Sequence, residues 1–542
     1  MDTLSTSSTI QDKESQKWSP KKTSHLSLLL DQAGVDDEVI YHRYDGHGTP
    51  ESPYVVEFLP YDARNPMTFP KPLKWLITLI AAAATLAVSF ASSAYSGGIT
   101  DIRRHFHVSN EAVILGVSTF VLGFAIGPLI WAPLSEMFGR QKLFFLTYMA
   151  LTAFNAAAAV APSMTALIVL RFFAGVFGSS PLTNAGGVIA DMFPASERGI
   201  AASIYAMAPF LGPAIGPIAG GFLGQASGWR WVEGMITIFT GVVWIVNSIV
   251  YPETYAPVLL RRRAEALSRI TGKVYLSKID LHQPKKTVSA QFRQALLRPW
   301  ILLFKEPIVL LTSLYLAIAY GTLYLCFAAF PIVYQRGRGW SPGIGGLAFI
   351  GIAVGMFLAV MGTILDNRRY QRLLAKNMGR AVPEARLPPS LVGSVLLPVG
   401  LFWFAWTNGP NVHWVVSIIG TAFFAAGLLL VFLSLTTYLI DSYVMFAASV
   451  LAANSVLRSL FGAAFPLFTT YMYQKLGIHW ASSIPAFLAL ACVPFPWLFY
   501  KYGQRIRMKC EYAAEAARML ELMHTSTKTM DMTEDESIKD AE

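Results

Sequence analysis

Apolar residues in this chain fall into blocks of about 20, the length an α-helix needs to cross the hydrocarbon of a bilayer. The blocks run 73–95, 112–134, 143–161, 164–190, 199–223 and 231–251, and then, after a polar stretch, 307–333, 343–365, 391–407, 412–440, 445–472 and 482–502. A segment in lipid has no water to bond, so its N–H and C=O groups must pair within it, and each block is predicted to be helical. Composition agrees. Of 542 residues, 54% are hydrophobic and 14% charged, against about 25% charged in a soluble domain, and the mean hydropathy is +0.46. Soluble domains of this total length would need a polar skin that so few charges cannot supply. The expected fold is all-α and integral to the membrane, with 12 transmembrane helices.

The net charge of +10 raises the question of a nucleic-acid partner. The basic residues lie in short clusters between apolar blocks, such as Arg261, Arg262 and Arg263, or Arg368 and Arg369. That pattern follows the positive-inside rule and not a phosphate-binding face, so no nucleic acid is expected. With both termini in the cytosol, the inner side holds Arg140, Lys142, Arg198, the basic 261–298 segment, the run from Arg368 to Arg386, and Lys501, Arg505 and Arg507. The outer side holds only Arg103, Arg104, Arg230, Arg336, Arg338 and Lys475. Residues 1–70, rich in Ser, Asp, Glu, Lys and Pro, are expected to form a disordered cytosolic tail. Residues 71–251 form an N-terminal six-helix bundle, 252–304 a cytosolic central loop, 305–503 a C-terminal six-helix bundle and 504–542 a second cytosolic tail.

Several chemistries are excluded. Cys326, Cys492 and Cys510 show neither a disulfide framework nor metal spacing. The opening residues are polar and carry no signal-peptide pattern. His105 and His107 flank Phe106 without a carboxylate or cysteine partner and read as solvated loop residues, so no metal is expected. A P-loop, a dinucleotide fingerprint and a nucleophile–base constellation are all absent, which argues against an enzyme and against an ATP-driven motor.

The central loop divides the spans six and six, a plan of two pseudo-symmetric bundles common among transporters. One repeat is visible. After the second block, Ala132 precedes Glu136 by four positions, with Gly139 and Arg140 following. After the eighth, Gly362 precedes Asp366 by four, with Arg368 and Arg369 following.

Within the blocks, the fifth carries Ala208, Gly212, Gly216 and Gly220 at every fourth position, a smooth face on which another helix backbone can come close. Pro209, Pro213 and Pro217 share that spacing on the neighbouring face, and each removes a backbone hydrogen bond. A bendable, smooth helix suits bundles that rock against each other; static close packing is the plain alternative. Arg171 lies inside the fourth block, with Gly175 and Ser179 on its face. A central arginine costs about 2.5–3.5 kcal/mol on insertion scales, so it needs a polar cavity or a partner. It either controls a proton or substrate site, or snorkels outward or pins a neighbouring carbonyl. Arg458, mid-way along the eleventh block with Asn454 and Gly462 one turn to either side, poses the same choice between a cavity role and bracing. Glu233 follows Trp229, Arg230 and Trp231 and either carries a proton or pairs with Arg230. No acid occurs from Leu76 to Tyr95 in the first span. Tyr315, Tyr320, Tyr324 and Phe327 in the seventh block, Tyr205 in the fifth and Asn184 in the fourth suit a cavity for amphiphilic ligands, or packing.

These motifs resemble the major facilitator superfamily and, within it, the twelve-span fungal drug:proton antiporters. The likeness rests on residues 134–142 (LSEMFGRQK), on Leu167 through Arg171 to Gly175, on 191–199 (DMFPASERG), on 212–221 (GPAIGPIAGG) and on 454–466 (NSVLRSLFGAAFP). It implies two bundles around a cavity open to one side at a time, and proton-driven export of drugs, fungicides or secondary-metabolite toxins. It implies no cofactor beyond the proton gradient, and as partners the substrate, protons and the bilayer, with a monomer in the plasma membrane. Arg171, with Glu233, would serve proton coupling. Gly212, Gly216, Pro217, Gly220 and Gly221 would supply the hinge, and Glu136, Gly139, Arg140, Asp366 and Arg368 a cytosolic gate. Asn184, Tyr205, Tyr320, Tyr324, Asn454 and Arg458 would line the cavity. Ala132, Glu136 and Met137 depart from the usual glycine, aspartate and basic residue of the signature loop. The rival readings are a proton-linked uptake or polyamine carrier, and a non-transporting receptor or scaffold.

Overall fold

Each expected block falls on one helical pass, and the passes end where the sequence supplies a cap or a glycine. In a computed structural model describing residues 24–60, 62–282, 288–376 and 382–519, the first half comprises α1 (Lys71–Ala94), α2 (Asn110–Phe138), α3 (Arg140–Ala159), α4 (Met164–Met192), α5 (Ala195–Ser227) and α6 (Trp229–Val250). The second comprises α7 (Pro307–Phe330), α8 (Ile350–Lys376), α9 (Pro388–Thr407) and α10 (Trp414–Ser442), followed by the helix Ala447–Cys492 and its continuation Pro494–Lys509. Ser109 and Ser163 cap α2 and α4 by accepting from the N–H groups of Ala112 and Ala166.

Among the described residues, eleven segments are long and apolar enough to span, and the last of them covers 66 residues, Val444–Lys509. At about 1.5 Å per residue, such a helix would far exceed a hydrocarbon core of about 30 Å. It is two passes: Gly477, at φ 73° and ψ 171°, breaks the helix, so that 447–476 form α11 and the residues from 478 onward form α12. Gly228 turns α5 into α6 with φ 84° and ψ 171° at the equivalent place in the first half. The two halves thus use the same left-handed glycine turn before their last pass.

Helix packing repeats the same relation. In the first half α1 packs on α5, α2 on α4 and α3 on α6; in the second α7 packs on α11, α8 on α10 and α9 on α12. The halves meet through α2 against α11 and α5 against α8.

The tail expected to be disordered differs from that expectation over its described part. Helices His25–Leu30 and Asp37–Tyr41 and strand β1 (Tyr54–Val56) precede the first span. β1 pairs in parallel with β2 (Tyr275–Ser277) from the central loop, Val55 opposite Leu276. The helix Ala256–Thr271 is amphipathic, and Val39, Tyr44 and Val56 of the tail complete a small core with its Leu260, Ala264 and Leu267. Arg263 lies in that interface, paired with Asp62 and donating to the Ala33 carbonyl at 3.0 Å. Gln141 at the start of α3 donates to the Leu29 carbonyl at 3.2 Å, which ties this layer to the first bundle. This layer marks the tail-side end of the bundle. The extremes of both expected tails, 1–23 and 520–542, lie outside the described residues.

Candidate functional site

Burying a guanidinium is tolerable only if its donors are met and its charge balanced, and Arg171 meets both conditions. It is fully buried, with Nη1 2.8 Å from Glu233 Oε1. Its Nε donates to Gly116 O at 2.8 Å, and Nη2 to Ala91 O at 3.1 Å and Ser92 O at 3.5 Å. The rings of Tyr95 and Phe120 lie 4.2 and 4.8 Å from its centre. One side chain of α4 therefore joins α1, α2 and α6. The expected alternative pairing of Glu233 with Arg230 does not occur: Arg230 donates to Ala159 O and stacks on Trp229, while Glu233 turns inward from the same helix. Glu233 Oε2 is buried without a hydrogen-bond partner.

The tail-side cluster centres on Arg140. Gly139 is the one residue between α2 and α3, at φ 96°, and a side chain there would run into the Glu253 carboxylate. Glu253 accepts from the N–H groups of Arg140 at 2.8 Å and Gln141 at 3.3 Å, and so caps α3. It also accepts from Thr254 and Tyr255, where the next helix begins. Burial raises the Glu253 pKa above the usual carboxylate range, and the N–H groups of Tyr255, Arg140 and Gln141 oppose the rise. The Arg140 side chain pairs with Asp191 at 3.3 Å, reaches Asn184 Oδ1 at 3.4 Å, bonds Ser135 and lies 4.7 Å from the Tyr255 ring centre. Asn184, expected in the cavity, thus belongs to this cluster. Glu136, expected as the gate acid, is exposed and takes no bond from Arg140.

The second half departs from expectation in the same way. Asp366 pairs with Arg369 at 2.6 Å, one turn along its helix, and Arg368 is exposed. Arg386, from the α8–α9 connection, pairs with Asp441 at 2.9 Å. Asp191 and Asp441 each stand one residue before the end of α4 and α10; Asp191 takes Arg140 from the first position of α3, and Asp441 takes Arg386 from just before α9. Sequence reasoning placed the repeat in the signature loops but missed these acids and Glu253. An acid closing an otherwise apolar block was the signal for Asp191 and Asp441; Glu253 acts through main-chain groups, which leave no pattern.

The glycine face of α5 lies on α1. Gly212 packs at Ser89 and Phe90, Gly216 at Ser93 and Ala94, and Gly220 at the Ala94 carbonyl. Ser93 Oγ donates to Gly212 O at 3.3 Å, and Ser89 Oγ to Ala208 O at 3.2 Å. Pro217 and Gly221, on another face, meet the second half: Gly346 abuts the Pro217 carbonyl and Gly221 the Pro342 carbonyl. Further bonds close the far end between halves, Asn110 to Thr470 and Gly343 N–H to Gln225, each at 3.2 Å.

At mid-depth the halves meet through tyrosines. Ser92 of α1 and Tyr324 of α7 share a hydrogen bond of 2.8 Å, and the Tyr320 hydroxyl donates to that of Tyr324 at 3.3 Å. Arg458 lies 4.8 Å from the Tyr320 ring centre. Tyr205 sits on the α5 side of this seam, its hydroxyl 3.4 Å from Thr85 Oγ1. A polar chain thus runs from Glu233 through Arg171, Ser92, Tyr324 and Tyr320 to Arg458. Asn454 is buried, and its Oδ1 has no partner. Among the described residues no group of His, Cys, Asp and Glu could hold a metal ion.

Residues 81–466 match the Major Facilitator Superfamily. The chain is 62% identical over 515 residues to the MFS-type efflux pump MFS2 of Trichophyton rubrum, spanning 95% of this chain and 87% of that one. It is 61% identical over 497 residues to the major facilitator superfamily multidrug transporter mdrA of Aspergillus fumigatus, spanning 92% of this chain and 82% of the relative. In structure it resembles the xylose transporter XylE from E. coli in a partially occluded inward open conformation, with a TM-score of 0.58 over 79% of this chain and 98% of that one at 14% identity, a likeness of fold alone. With these matches and its twelve passes in two halves, the chain belongs to the major facilitator superfamily and, within it, to the fungal efflux transporters.

Proposed function

We propose that the protein is a proton-coupled antiporter exporting amphiphilic small organic molecules by alternating access, with Arg171 and Glu233 as its proton site. The observation that carries this reading is the buried pair with one carboxylate oxygen left open. Protonating Glu233 removes the counter-charge of a fully desolvated guanidinium, which low-dielectric surroundings penalise strongly. The energy is relieved only if Arg171 or its neighbours move. Arg171 holds carbonyls of α1 and α2, and Ser92 beside one of them bonds Tyr324 in the other half. Proton binding is thereby tied to the seam between halves. Both termini are taken to face the cytosol, in a monomer of the plasma membrane. The relatives named efflux pump and multidrug transporter support the direction of transport and the breadth of substrate.

The test loads cells expressing the protein with cationic, neutral and anionic fluorescent amphiphiles and follows efflux with and without a protonophore. Efflux of at least one class above background, collapsing with the protonophore, is expected. No efflux of any class with protein at the surface, or efflux indifferent to the protonophore, would overturn the proposal.

A further inference from the structure

Arg458 and Arg171 are both arginines at membrane depth, but only Arg171 has a counter-ion. Arg458 has no hydrogen bond or ion pair among the described residues, and its Nε is buried without an acceptor. Arginines that brace this fold engage their terminal nitrogens: Arg171 spends its donors on three carbonyls and a carboxylate, and Arg338, whose Nε likewise lacks an acceptor, donates from Nη2 to two carbonyls. The acids that might have neutralised Arg458 are engaged elsewhere. Glu233 is held by Arg171, Asp191 by Arg140, Asp441 by Arg386, and Glu306 by the Tyr443 hydroxyl and the Tyr512 N–H. A half-buried cation at membrane depth without a counter-charge is costly, and the cost is recovered when an anion arrives.

A second, independent observation marks the same place. Asn454 lies one turn before Arg458 on the same helix face. It is 3% exposed, and its carboxamide oxygen has no partner. Buried amides are normally satisfied, so this one points to a missing polar group. The surroundings suit a flat apolar body. Arg458 lies between the rings of Tyr320, 4.8 Å away, and Phe432, 5.1 Å away, and Phe210 from the other half meets Phe432 edge-on at 4.6 Å. Arg458 as a residue is half-buried, its Nε enclosed, so a ligand in the seam would have to meet its terminal nitrogens.

We propose that Arg458 and Asn454 bind the head group of the transported molecule, and that the preferred substrates are amphiphilic organic acids, with a planar carboxylate or acidic phenolate on an aromatic body. The guanidinium edge matches a carboxylate through two parallel N–H donors. The Asn454 amide offers a further donor to the anion and an acceptor to a hydroxyl beside it. The aromatic rings take the body by stacking. The same charge disfavours lipophilic cations. This substrate class rests on the exporter reading above, but it is tested by binding alone.

Full-length protein in nanodiscs is titrated near neutral pH with 2-naphthoate and with its neutral isostere 2-naphthamide. The acid is expected to bind at least about tenfold tighter, as a charge-assisted bond requires. Arg458→Gln should bring the two to equal affinity, and Arg458→Lys should keep part of the preference; melting curves verify that both variants fold. The wild-type ratio needs no variant. Equal binding of acid and amide, a preference that survives Arg458→Gln, or binding of neither probe overturns the proposal. A clear acid preference without flux in vesicles would instead sink the exporter reading and leave the site standing.

Discussion

Arg171 could be singled out in the sequence because a charge inside an apolar block has to be explained, but its partner could not. Glu233 stands three residues from Arg230, and adjacency favours that pair. Only the packing of α6 on α1 turns Glu233 inward, where it meets Arg171 of α4. Removing one member of a buried pair typically costs about 3–5 kcal/mol, because the other charge is stranded, whereas an apolar replacement of both is often neutral. Glu233→Leu should therefore melt well below wild type, and the double variant Arg171→Met/Glu233→Leu should recover most of the loss, as read by thermal unfolding in detergent. A double variant no more stable than the single one would contradict the pair's energetics. Glu253 belongs to the same scale and left no signal, since its partners are main-chain N–H groups. Glu253→Ala uncaps α3 and should cost about 1–2 kcal/mol by the same measurement. Gly139→Ala, strained at φ 96° and blocked by that carboxylate, should cost more.

At the scale of elements, helices were the most legible part of the fold, because bilayer thickness fixes their length and lipid forces their hydrogen bonding. The break at Gly477 is the instructive case: helix runs from 447 to 492 with only this one residue out of helical geometry, and it falls in the short loop expected between 472 and 482. The glycine stripe of α5 was also legible, but not which neighbour it serves. It faces α1 through Ser89 and Ser93, whereas Pro217 and Gly221, on another face of α5, meet the other half. Gly220→Ala would press a methyl group on the Ala94 carbonyl, and overpacking of this kind costs about 1–3 kcal/mol. A lower melting temperature is expected, and an unchanged one would show that α1 and α5 separate easily. The pairing of β1 with β2 was illegible because each strand is three residues long and the partners lie far apart in sequence. Val55→Cys with Leu276→Cys should form an intramolecular disulfide under mild oxidant, detected by mass spectrometry, against native cysteines that are all buried. Absence of the cross-link would count against this tail layer.

For the whole molecule, the two halves repeat not only their helix pairings but also their glycine turn before the last pass and an arginine–aspartate pair at the tail-side end. Equivalent halves can exchange equivalent contacts, which is the mechanical basis of alternating access. The repeat was visible in the sequence at Glu136 and Asp366, yet the pairs that join separate helices in the two halves are made by Asp191 and Asp441, near the ends of α4 and α10, while Asp366 bonds only Arg369 one turn along its own helix. The central claim is that proton binding at Glu233 drives export. The most direct measurement compares wild type with Glu233→Gln in proteoliposomes, following both exchange of a transported amphiphile at equal pH and its accumulation under an imposed pH gradient. The account predicts that Glu233→Gln still exchanges substrate but no longer accumulates it. Gradient-driven accumulation by Glu233→Gln at the wild-type level would contradict it.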